Sequence, residues 1–129
     1  MKKIFIIIAS LILLGIFIFN ITKPSDSETK VATLSEPEIA FFWLPSGLPC
    51  QEQDKILKEI TAQEKYKNVK ITHIDVTESA NSSKMNKYGI RSVPNIIVLD
   101  KSQKVQKQFA PGIQSESILK NELDIALSK

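Results

Sequence analysis

Phe41-Phe42-Trp43-Leu44-Pro45-Ser46-Gly47-Leu48-Pro49-Cys50 is the stretch that decides the fold. From Ile39 to Trp43 the chain is continuously apolar and rich in aromatics, as in a strand buried on both faces of a parallel or mixed sheet. Pro45 and Gly47 break that run, and Pro49 suits the first turn of a helix, where its missing N–H costs nothing. The stretch therefore reads as strand, turn and helix start. Cys50, the only cysteine, falls in that helix's first turn. There the unpaired backbone N–H groups and the positive end of the helix dipole favour an anion such as a thiolate.

Working outward toward the C-terminus, Ile56, Leu57 and Ile60 recur at helical spacing, with Glu52, Asp54, Lys55, Lys58 and Glu59 assigned to the opposite, polar face. This predicts an amphipathic helix to about Tyr66. Val69, Ile71, His73, Ile74 and Val76 predict a second buried strand. A short helix over residues 82–87 ends at Tyr88-Gly89, with Gly89 as its cap. Residues 96–99 predict a third strand and residues 105–109 a fourth, joined by a polar turn. Gly112 interrupts the chain and Ser115 can cap a last helix, whose apolar stripe is Ile118, Leu119, Leu123, Ala126 and Leu127. The order βαβα followed by ββα predicts an α/β domain: a central mixed sheet of about four to five strands with helices on both faces. Residues 31–34 are the candidate fifth strand, at an edge.

Toward the N-terminus, Met1-Lys2-Lys3 precedes a run from Ile4 to Ile21 that is apolar apart from Ser10, Gly15 and Asn20. The run exceeds the ~7–15 residues of a secretory core and reaches the ~17–25 of a spanning helix. Residues 1–21 are thus expected to form a signal anchor, an N-terminal transmembrane helix in contact with the membrane through residues 4–21, in preference to a cleaved signal peptide. The Lys pair predicts a cytoplasmic N-terminus, with the rest of the chain extracytoplasmic, periplasmic or at the cell surface. Residues 22–35 are rich in Ser, Thr, Lys and acidic side chains and predict a polar linker. Residues 36–129 are left for one domain. The net charge of +3, from 17 Lys+Arg against 14 Asp+Glu, is dispersed and argues against a nucleic-acid partner. One Cys and one His cannot supply the three or four ligands of a metal site, and no nucleotide-binding fingerprint is present, so no metal and no cofactor are expected.

The opening stretch resembles the active-site loop of thioredoxins, Trp-x-x-x-Cys-x-Pro-Cys. Trp43, Pro49 and Cys50 stand at matching positions, and Gly47 stands where the family has its first, attacking cysteine. Tyr88-Gly89-Ile90-Arg91-Ser92-Val93-Pro94 resembles the second thioredoxin signature, which ends in a cis proline. Together the two motifs imply a thioredoxin-like fold from about residue 36 onward, possessing less of the opening strand and helix than many members. The resemblance implies that Pro94 is cis and that Trp43, Gly47, Leu48, Pro49, Val93 and Pro94 line a substrate groove. The family also places a buried acid two positions before the tryptophan as a proton acceptor, where this chain has Phe41. His73 falls near the place of a partly buried lysine, and is either a possible base or a satisfied structural residue.

Cys50 is then either a buried, inert thiol or a single redox thiol whose partners are protein or small-molecule thiols and disulfides. The leading expectation is a membrane-anchored extracytoplasmic protein of thiol-disulfide homeostasis. The alternatives are a non-catalytic thioredoxin-fold binding module and a structural subunit of an envelope assembly. Without the first cysteine of the dithiol, membership of an oxidoreductase family does not by itself make the chain an enzyme.

Overall fold

The computed structural model describes residues 35–129. The expected anchor, most of the linker and the candidate strand at 31–34 lie outside the described residues. Strand β1 (Glu38–Trp43) leads through a tight turn into α1 (Leu48–Thr61), followed by β2 (Lys70–Asp75), α2 (Ser82–Lys87), β3 (Asn95–Leu99), β4 (Val105–Gln108) and α3 (Glu116–Ser128). The four strands form one sheet in the order β2-β1-β3-β4. β1 pairs in parallel with β2, aligning Phe41 with His73, and antiparallel with β3, aligning Phe42 with Asn95. β3 and β4 pair antiparallel. The mixed sheet with helices on both faces is as the sequence predicts. Among the described residues no helix is long and apolar enough to cross a membrane.

Alternation along the strands sorts the core into two layers. Ile39, Phe41, Ile96 and Val98 pack with Cys50, Leu57 and Ile60 of α1 and Leu119, Leu123 and Ala126 of α3. Ala40, Phe42, Ile74, Ile97 and Leu99 face the other way, toward Ile90, Met85 and Tyr88 around the six-residue α2. Every residue of β3 is buried, which is why Asn95–Leu99 reads as an unbroken apolar run after its first position.

Some local expectations give way. α1 stops at Thr61, short of Tyr66, because the residues that would continue its apolar stripe, Gln63 and Glu64, are polar. The chain leaves the helix there and makes a separate 3-10 turn, Glu64–Tyr66, which buries Tyr66. The Tyr66 hydroxyl donates to Asp124 on α3 at 2.7 Å. β2 is an edge strand in which only Ile74 is fully buried, so it is not the buried strand its composition suggests. Ser115 occupies the N-cap of α3, but its side chain bonds no backbone N–H and instead meets the Ser117 hydroxyl. Ile118 is half-exposed, because the buried stripe of α3 is centred on Leu119, Leu123 and Ala126.

Candidate functional site

The turn after β1 is held by backbone bonds. The Gly47 amide donates to the Leu44 carbonyl at 2.9 Å, and the Gly47 carbonyl accepts the Gln51 amide at 3.0 Å as α1 begins. The Gln51 side chain donates back to the Pro45 carbonyl at 2.9 Å. Gly47 is the N-cap in an ordinary extended conformation, φ −81° and ψ 119°, and Leu48, Pro49 and Cys50 form the first turn. The glycine is therefore not required by the backbone. A Cβ built on it would lie 3.6 Å from the Cys50 Sγ and 3.2 Å from the Leu44 carbonyl oxygen. A side chain at this position would therefore sit in van der Waals contact with the sulfur and tight against the Leu44 carbonyl.

Cys50 is 2 % exposed, and its Sγ accepts a hydrogen bond from the Leu44 amide at 3.4 Å. Trp43, Leu44 and Val93 are half-buried against the same cluster. Leu48 is 77 % exposed, a large apolar side chain at the tip of the helix start. The Val93-Pro94 bond is cis. Because Phe42 pairs with Asn95 in antiparallel register, Pro94 enters β3 alongside Trp43 at the end of the sheet where Cys50 lies. The Pro94 carbonyl accepts the amide of Gly112, whose φ of 123° is readily available only to glycine. The turn, Cys50 and the cis proline are thus gathered at one sheet end, as expected from the two motifs.

His73 lies on the other flank of Trp43. Its ring sits edge-on to Trp43 at 4.9 Å and to Phe41 at 5.5 Å between centroids. Nε2 lies 2.6 Å from Oδ1 of Asp54, whose other oxygen, Oδ2, is 2.6 Å from the Lys58 ammonium. Asp54 is 9 % exposed, so its assignment to the polar face of the helix is corrected. Burial opposes its charge, but the hydrogen bonds from Lys58 and His73 outweigh that penalty and hold its carboxyl below the ordinary value. Its neighbour Gln53 is fully buried and clamps the backbone of Gln114, donating to the carbonyl at 3.3 Å and accepting from the amide. Sequence reasoning missed both residues as contributors. The signal was the spacing Cys50, Gln53, Asp54, Leu57, which places all four on one helical face.

Comparison with known proteins agrees with this geometry. The thioredoxin family model matches residues 19–124, and the chain belongs to the thioredoxin family. It is 34% identical to the thioredoxin of Bacillus subtilis over 86 residues, covering 67% of this chain and 80% of that one. It is 32% identical to thioredoxin 1 of Synechococcus elongatus over 95 residues, covering 74% and 84% respectively. The solved structure of a point mutant of a thioredoxin from Halobacterium salinarum superposes with a TM-score of 0.61 at 22% identity, covering 76% of this chain and 80% of that one, which supports the shared fold.

Proposed function

We propose that this thioredoxin-family protein is a membrane-anchored, extracytoplasmic monothiol protein that exchanges disulfides through Cys50. Its substrates are protein or small-molecule thiols and disulfides held in a groove of Trp43, Gly47, Leu48, Pro49, Val93 and the cis Pro94. The observation that carries the reading is that Gly47, which stands where the family has its attacking cysteine, lies directly beside the Cys50 sulfur, so that a Cβ there would be 3.6 Å from Sγ. The Leu44 amide aimed at that sulfur provides a donor for a developing thiolate. The anchor and the outward orientation rest on the apolar run of residues 4–21 behind Lys2 and Lys3. A single thiol left in a mixed disulfide has no neighbour to release it, so turnover needs an external thiol.

The 2 % exposure of Cys50 favours a second reading, in which the thiol is sealed and the groove serves a non-catalytic binding module. Reduction of an insulin-type disulfide by the full-length chain, with limiting reductant, separates the two. Wild type is expected to form at most one mixed disulfide per Cys50, with negligible dithiol-type turnover, and Cys50→Ser none. Gly47→Cys is expected to gain turnover, since its Cβ would stand 3.6 Å from the Cys50 Sγ, from where a small shift of the turn and a change of the Cys50 rotamer would bring the two sulfurs together. Turnover that survives Cys50→Ser would overturn the redox assignment. A folded Gly47→Cys variant that stays inactive, with wild-type Cys50 refractory to thiol reagents until denaturation, would establish the binding module.

A further inference from the structure

We propose that Gln53 is a positioning residue for the substrate groove, fixing its cis Pro94 wall to the helix that carries Cys50 and so favouring extended peptides over small disulfides. The inference rests on the monothiol reading and narrows its substrate class. Gln53 stands three residues after Cys50 on α1 and is fully buried, on a face that otherwise packs Cys50, Leu57 and Ile60 into the core. An amide in such a place is costly unless its polar atoms are bonded. Both ends are: Nε2 donates to the Gln114 carbonyl at 3.3 Å, and Oε1 accepts the Gln114 amide. An apolar side chain would fill the position without that requirement, so the amide is accounted for by the loop it holds.

That loop is tied to the cis proline in turn. The Gln114 side chain donates back to the carbonyls of Ala110 at 3.0 Å and Gly112 at 3.2 Å, which closes the loop on itself. The Gly112 amide then donates to the Pro94 carbonyl at 2.9 Å. A continuous brace therefore runs from α1 through Gln53, Gln114 and Gly112 to Pro94, without contact with the sulfur. Among the described residues the half-buried Val93, just before Pro94, makes no hydrogen bond through its backbone amide or carbonyl. Because the Pro94 carbonyl is held by Gly112, the brace sets the direction in which those Val93 groups face. They can pair with the backbone of an extended chain, whereas a small disulfide has no backbone to offer them. In the exchange, the Cys50 thiolate bonds one sulfur of the peptide's disulfide, the substrate's own sulfur–sulfur bond breaks, and the other half departs as a thiolate. The placement of Val93 relative to Cys50 decides how well a bound peptide presents its sulfur, and Gln53 fixes that placement.

The test compares two disulfides with the folded full-length chain. One is the symmetrical disulfide of a neutral, capped Ala-Ala-Cys-Ala-Ala peptide; the other is hydroxyethyl disulfide, which lacks a peptide backbone. Mass spectrometry follows mixed-disulfide formation at Cys50 over a range of concentrations. Gln53→Met is expected to lower the ratio of the peptide rate to the hydroxyethyl disulfide rate by about tenfold, through weaker saturation by the peptide with its limiting rate retained. A general loosening of the fold would change both rates together and leave their ratio unmoved. As a check that needs no variant, NMR signals of the Gln53 side-chain amide and the Gln114 backbone amide can be compared in wild type with Cys50 carrying the peptide or a methylthio group. The peptide adduct should shift both signals and the methylthio adduct should shift them far less. An unchanged rate ratio in folded Gln53→Met, or signals that respond alike to the two adducts, would overturn the positioning role and leave the monothiol reading intact. No reaction of folded wild type with either disulfide would remove both.

Discussion

The two faces of the sheet bury polar groups on different terms. On the face covered by α1 and α3, Gln53 and Asp54 are buried and each is hydrogen-bonded, Gln53 to the Gln114 backbone and Asp54 to His73 and Lys58. On the face covered by the short α2, the buried Thr72 Oγ1 and Asn95 Oδ1 have no partner among the described residues. That face also carries an open concavity of about 170 Å³ lined by Ala40, Thr72, Ile74, Lys84, Tyr88 and Leu99. The difference teaches that the thick face uses its buried polar groups to fix elements against one another, whereas the thin face leaves these two buried oxygens unpaired and is tied to the end of α2 by the more exposed Gln108, which donates to the Tyr88 carbonyl at 2.8 Å. The site accordingly lies at the end of the thick face.

The largest effect should come from the aromatic pair that straddles the sheet. Phe41 and Phe42 are both fully buried from adjacent positions on β1, one per face. Phe41→Ala is expected to cost about 5 kcal/mol and Phe42→Ala about 3 kcal/mol in urea unfolding, because two helices close over the first and one short helix over the second. The reverse order would break the comparison.

A smaller contrast separates the buried amides. Gln53→Met leaves the Gln114 carbonyl and amide without their partner and should cost about 2 kcal/mol, while Asn95→Leu should change stability by less than about 0.5 kcal/mol because Oδ1 gives up no bond. Equal losses in the same unfolding assay would show that the thin face depends on its polar groups after all.

Acid sharpens the comparison further. The folded-state carboxyl of Asp54 lies below its ordinary value, so the stability it contributes is complete above the ordinary carboxylate range and is lost as the pH falls through the folded value. Wild type should exceed Asp54→Asn by about 1 kcal/mol near pH 6, and the gap should close as the carboxyl protonates. Parallel stability curves for the two proteins down to acid unfolding would contradict this.

The fold is legible because its signals are local. Unbroken apolar runs mark β1 and β3, the positive-φ Gly89 marks the end of α2, and two separated motifs mark the site and its cis proline. What stays hidden depends on where elements sit relative to one another. The edge position of β2, which leaves His73 partly exposed, follows from strand order and not from its own composition. Asp54 reads as a surface charge because carboxylates are seldom buried. Its burial depends on a histidine 19 positions away in sequence, brought opposite by parallel pairing of β2 with β1.

The edge-on contact of Trp43 with His73 has an optical consequence. The chain has one tryptophan and one histidine, and their ring centroids lie 4.9 Å apart. An imidazolium at that distance withdraws electron density from the excited indole and dims its emission, whereas a neutral ring does so far less. The protein therefore carries a label-free lamp at its candidate site. Its brightness is expected to respond to any change in the spacing of the two rings.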